Sequence, residues 1–212
     1  MNLFKNFKSK KVGGYIAYFN LNTWWLDELL PEERTSLKTI FDLMFYTEDS
    51  SLDEGIIDNV SESKIEFITS LCSFFTTSEH YNIGKKLIAL GQSEINKNTT
   101  ILEEHYFYLE AIKLYSNNLN YDENALKELI NYSKKQILIS NQAKKELNDL
   151  YPDSPLPSHA GFNSLSKLYE KRSEYNKALE LLIISKEQGW QNPDIDDRIN
   201  KLKELNCKLK IG

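Results

Sequence analysis

Apolar residues recur every three or four positions from about residue 22 onward, and only eight glycines and five prolines interrupt 212 residues. An α-helix needs that period to lay its apolar side chains along one face, whereas a strand needs a period of two. Alternation of the strand kind is scarce, and residues 15–19 are the one stretch that carries it. The pattern predicts an all-α chain of nine or ten helices with short connections.

Residue chemistry marks the helix ends. Asn22 or Thr23 is placed to cap a first helix holding Trp24, Trp25, Leu26, Leu29 and Leu30. Pro31 followed by Glu32 and Glu33 puts a proline and two acids in the first turn of the next, as the helix dipole favours. Residues 47–60 are polar and broken by Gly55, which predicts a loop. Ser61 or Ser63 opens a helix through Ile65, Ile68, Leu71, Cys72 and Phe75, and Ser78-Glu79 opens one closing near Gly91. A long helix is expected over about 100–117, and Asp122 is suited to cap the next. Ser140 starts a shorter one that Pro152 forbids from continuing past Tyr151. Three helices then follow, over about 158–172, 175–188 and 193–208, with Gly189 stopping the second and Asn192-Pro193 starting the third.

Composition narrows the function classes. With 41% apolar and 27% charged residues, the chain has the make-up of a globular protein and not of a disordered or polytopic membrane protein. Its net charge of −5 argues against a nucleic-acid binder, which would carry a strongly basic face. Two cysteines make no disulfide framework and fit no zinc spacing; Cys72, inside an apolar run, reads as a small buried hydrophobe. Lys5, Lys8, Lys10 and Lys11 are interleaved with Leu3, Phe4 and Phe7, a short basic amphipathic stretch whose expected fate is a solvated arm. The segment after it carries two glycines, two tyrosines and an asparagine, a poor secretory core, so the expected location is cytoplasmic. The organisation predicted is an irregular arm over 1–21 and a single all-α domain over 22–212. Within that domain, 22–99 forms an N-terminal helical part and 100–212 a repeat-like part closed by helix 193–208.

Residues 162–190 carry the most specific pattern. Phe162, Leu165, Ser166 and Tyr169 fall on the first of two helices, and Ala178, Leu182 and Ser185 on the second, with Gly189-Trp190 at the end. Small residues at 166, 178 and 185 let two helix backbones approach, while the larger apolar ones fill the ridges around the contact. This pattern resembles the tetratricopeptide repeat, a helix–turn–helix unit of about 34 residues. Ser173 departs from it where glycine is common at the turn, as does Trp190 where proline is frequent. Tyr108, Ala111, Ile112 and Tyr115, with Ala125, Leu129 and Tyr132 or Ser133, echo the pattern one residue out of register. The resemblance implies stacked antiparallel hairpins in a right-handed superhelix of about nine helices, because one such unit cannot bury its own apolar faces.

The same resemblance implies a concave groove lined by the first helix of each unit. Its phase maps onto Asn163, Lys167 and Lys171 of the clear unit and onto Tyr106, Leu109 and Lys113 of the degenerate one. Ammonium and amide donors along one channel suit an acidic or carboxylate-bearing peptide. The leading expectation is therefore a non-catalytic module that binds a protein or peptide, without cofactor, nucleic acid or stable membrane insertion, and with homo-oligomerisation left open. An alternative is a regulator that docks on an enzyme through Trp24 and Trp25, since tryptophan is enriched at binding hot spots. An unrecognised enzyme is the third. Against it, His80, His105 and His159 are scattered, Gly84-Lys85-Lys86 lacks the upstream glycine of a phosphate loop, and the acid pairs Glu103-Glu104 and Asp196-Asp197 point to different parts of a helix surface.

Overall fold

The structure is a computed structural model that describes residues 12–44 and 52–209. The basic stretch at Lys5–Lys11 lies outside the described residues, as does the first part of the polar loop expected over 47–60. The chain divides into two compact units, Met1–Lys64 and Ile65–Gly212. Ten α-helices and one π-helical turn are described, so the all-α expectation holds. Among the described residues no helix is long and apolar enough to cross a membrane.

The first unit holds α1 (Gly14–Tyr18), the π-helical turn Trp24–Glu28 and α2 (Pro31–Met44). Residues 15–19, the candidate for a strand, fall in α1 and its C-terminal cap. Five residues cannot distinguish a period of two from one of 3.6. Ile16 and Phe19, three apart, are both buried and face the same core. Asn20, at φ 58°, closes the helix, with the Leu21 N–H donating to the Ile16 carbonyl and the Asn20 N–H to that of Ala17. Residues 52–55 supply carbonyls to the amides at the start of α1, which have no partner within the helix: Gly13 donates to Asp53, Gly14 to Gly55 and Ile16 to Leu52. Lys38 of α2 pairs with Asp53 at 2.6 Å, and that bond holds its ammonium above the usual lysine range. Trp24 and Trp25 are buried with Leu29, Leu37, Phe41 and Leu52. They belong to the core and do not form an exposed anchor.

The second unit contains α3 from Ile65 onward (α3 is Lys64–Phe74), α4 (Tyr81–Glu94), α5 (Ile101–Asn117), α6 (Ala125–Leu138), α7 (Ser140–Leu150), α8 (Ala160–Lys171), α9 (Tyr175–Gln188) and α10 (Ile195–Leu209). Helix α5 packs on α4, α6, α7 and α8, while α6 packs on α8, α8 on α9, and α9 on α10. Thr100 begins α5 with a reciprocal capping box: its hydroxyl accepts from the Glu103 N–H at 3.2 Å, and the Glu103 carboxylate accepts from the Thr100 N–H at 2.6 Å. Aromatic rings fill the α5–α6 contact, with Tyr115 and Tyr132 stacked 5.8 Å apart and Phe107 meeting Tyr132 edge-on. Cys72 is buried, and desolvation pushes its thiol up, as a small core residue requires.

Helices α8 and α9 form a hairpin across residues 172–174, and its seam is made of small side chains. Ser166, Ala178 and Ser185 are all buried, Ser166 and Ala178 completely. Leu182, Ile195, Ile199 and Leu202 extend the apolar contact from α9 onto α10. Both helices of the hairpin end in the same backbone motif. Ser173 sits at φ 58° while the Glu174 N–H donates to the Tyr169 carbonyl; Gly189 sits at φ 83° while the Trp190 N–H donates to that of Ser185. On its other side α8 lies close to α6, where a methyl group added at Gly161 would stand 2.7 Å from the Ser133 carbonyl oxygen.

Candidate functional site

Helices α8 and α10, with the start of α9, enclose a cleft of about 440 Å³ lined by Lys167, Glu170, Tyr175, Arg198, Lys201, Leu202 and Leu205. Arg198, Lys201, Leu202 and Leu205 are spaced by three, one and three residues along α10, the stagger that puts four side chains on one helix face. Lys167 and Glu170 are likewise three apart on α8 and face the same opening. The floor is apolar, because Leu202 is buried beneath the cleft and Leu205 is half-buried at its edge.

Arg198 anchors the arrangement. Its Nε donates to Glu170 Oε1 at 3.0 Å, one Nη donates to the same oxygen, and that Nη also donates to Ser166 Oγ at 2.8 Å. The Arg198 side chain is only 14% exposed and that of Glu170 30%, so the pair works with partial shelter from water. It neutralises the one carboxylate in the lining and fixes α10 against α8. Lys167 and Lys201 are both exposed, which leaves two ammonium groups at the mouth beside the Tyr175 phenol. The cleft thus presents two exposed ammonium groups beside the half-buried side chain of Leu205.

The residues expected to line a groove are distributed differently. Lys167 lines the cleft. Asn163 is committed within the fold, donating to Ser158 Oγ at 2.7 Å and accepting from the Asn192 side chain at 2.9 Å. Lys171 is exposed in the last turn of α8, where a cation suits the helix dipole. On α5, Tyr106 is 40% exposed and stands near Tyr151, which together with burial raises its phenol pKa. Leu109 is half-buried, and Lys113 pairs with Glu110 at 2.7 Å. None of the α5 residues lines the cleft. Glu170, Tyr175, Arg198, Lys201, Leu202 and Leu205 are the cleft residues that sequence reasoning did not place at a site. The signal was present in the spacing of Arg198, Lys201 and Leu205, but α10 read as a terminal cap.

The three histidines lie at helix starts or in the core. His80 precedes α4 beside the Phe75 ring. His159 caps α8, its Nδ1 accepting from the Phe162 N–H at 3.3 Å. His105 is buried on α5, stacked on Trp190 with ring centres 5.5 Å apart. Burial pushes His105 down to about 4 and His159 to about 3, where the neighbouring His105 adds to the effect. Among the described residues no three His, Cys, Asp or Glu side chains are grouped as a bound metal ion would need. Comparison of the chain with protein-family models, with curated proteins and with solved structures finds no match.

Proposed function

We propose that Ile65–Gly212 is a tetratricopeptide-like stack of helix hairpins that binds an acidic segment of a partner protein or peptide, without catalysis. The observation that carries this reading is the α8–α10 cleft, where Lys167, Arg198 and Lys201 surround an apolar floor of Leu202 and Leu205. The buried small-residue seam at Ser166, Ala178 and Ser185 supports the repeat-like packing behind it. Two free thiols, Cys72 and Cys207, fit a reducing cytoplasmic setting. A carboxylate on the partner replaces the water around Lys167 and Lys201, and an adjacent leucine-sized side chain gains the apolar contact.

The test is titration calorimetry with an acidic, leucine-containing hexapeptide, (Glu-Leu)3, against wild type and Lys167→Ala/Lys201→Ala. Each exposed ion pair contributes about 0.5–1 kcal/mol, so the double variant binds roughly fivefold to thirtyfold more weakly while its thermal midpoint stays unchanged. Equal affinity in the two proteins overturns the assignment.

A second reading places partner contact on the first unit, as a regulator docking there. Leu26 and Leu30 support it, being 49% and 54% exposed, the first within the Trp24–Glu28 turn and the second just after it. Under that reading Leu26→Ser/Leu30→Ser abolishes partner capture and Lys167→Ala/Lys201→Ala leaves it intact.

A further inference from the structure

The junction between the α5–α6 hairpin and the α8–α9 hairpin is held by neutral polar groups in a sealed environment. The Gly161 N–H, in the first turn of α8, donates to Gln136 Oε1 of α6 at 2.7 Å, and Gln136 Nε2 donates onward to the His105 carbonyl of α5 at 3.0 Å. The next amide of α8, that of Phe162, donates to His159 Nδ1. Gln136, His105 and His159 are all essentially inaccessible to water. The first amides of α8 are thus satisfied by side chains and not by solvent.

The acceptor role dictates the state of His159. Its Nδ1 must be bare to take the Phe162 proton, so the ring is neutral with its hydrogen on Nε2. That Nε2 is buried without a partner, and so is Nδ1 of His105, whose ring centre lies 5.3 Å away. This tautomer also argues against a metal bridging the two rings, because Nε2 of His159 has no free lone pair. Adding a proton to Nδ1 turns the cap from acceptor into donor, facing another donor. It also puts positive charge at the positive end of the α8 dipole. The groups facing the two rings are Trp190, Phe162, the Tyr106 ring, Gln136 and each other. No carboxylate acts on either imidazole, and the backbone groups of Gln136 and His159, which favour a charged His159, offset only part of the cost of burial and of the His105 neighbour. The Trp190 face, parallel to His105 within 11°, returns only part of the lost hydration.

We infer that the His105–His159 pair is an acid-operated release for the joint between the two hairpins: protonation frees the N-terminus of α8 from α5 and α6 while each hairpin stays folded. Its consequence for binding rests on the proposed function. A partner segment that contacts both hairpins is dropped on acidification, whereas one held by the α8–α10 cleft alone is kept.

Hydrogen exchange of the full chain, corrected for intrinsic rates, reads the joint without any ligand, so failure of the binding reading leaves this test intact. Between pH 7 and pH 5 the amides of Gly161, Phe162 and Asn163 lose at least about tenfold more protection than those of Phe107–Ala111. In His159→Asn, which keeps a capping oxygen but does not titrate, the difference disappears. In His105→Phe, which keeps the stack on Trp190 and removes the second cation, it shrinks. Imidazole nitrogen shifts of the wild type supply a check that needs no substitution: His159 is neutral with its proton on Nε2 at pH 6. Uniform loss of protection across α5 and α8, an unaltered difference in His159→Asn, or a charged His159 at pH 6 overturns the proposal.

Discussion

Ser173 and Gly189 do the same backbone job at the two ends of one hairpin, with different residues. Each holds a left-handed conformation so that the following amides turn back onto the last carbonyls of its helix. Glycine adopts that conformation freely, whereas a side chain beyond Cα crowds the following carbonyl. Ser173→Gly therefore raises stability by about 0.5–1 kcal/mol, and Gly189→Ala lowers it by about 1 kcal/mol, both read from urea midpoints at constant slope. A loss of stability in Ser173→Gly would show that its hydroxyl contact with the Tyr175 phenol, at 3.4 Å, outweighs the backbone term.

Helix α10 packs on α9 through Ile195, Ile199 and Leu202 and the Lys186–Asp196 pair, and Arg198 ties it to α8. Arg198 reaches back 28 residues to Glu170 and 32 to Ser166. Arg198→Met leaves the Glu170 carboxylate half-sheltered without its partner and costs about 1–2 kcal/mol. Adding Glu170→Gln restores part of that loss, and a double-mutant cycle showing no coupling between the two would rule out the fastening. The same contact explains what could be read ahead of the structure. Helix α9 was legible at both ends, because its stop is local: Gly189 and the carbonyls it closes lie within one turn. The seam at Ser166, Ala178 and Ser185 was legible because small residues twelve and seven positions apart carry their own spacing rule. The cleft was not, since it depends on how α10 is rotated about its axis, and that is decided by Arg198 and by Ile195, Ile199 and Leu202 packing on α9. The groove expected from Tyr106, Leu109 and Lys113 rests on the resemblance, which carries a helix phase onto α5. Phase says which side of α5 is open, but not which neighbouring helix faces it. For Trp24 and Trp25 the core is the commoner fate of an aromatic pair, and the core is where they lie.

For the whole molecule, the buried imidazoles make stability depend on pH. Both have folded-state pKa values below the ordinary 6.5, so the unfolded chain takes up more protons as pH falls through that value. Their contribution is intact above pH 6.5, declines as pH falls through 6 and 5, and levels off near 3–4. At pH 5 the loss is on the order of 2 kcal/mol for each ring. Urea midpoints measured from pH 7.5 to 4.5 should fall accordingly, and His105→Phe/His159→Asn should flatten the curve. A wild-type midpoint that does not move over that range would mean the rings are solvated.

The opening between α8 and α10 is proposed to receive an acidic partner segment. Amide and methyl chemical shifts of the full chain, followed while the hexapeptide (Glu-Leu)3 is added, test it most directly. Saturable changes are expected at Lys167, Tyr175, Lys201 and the methyl groups of Leu202 and Leu205. Saturable changes centred instead on Leu26 and Leu30, or none at any peptide concentration, would contradict it.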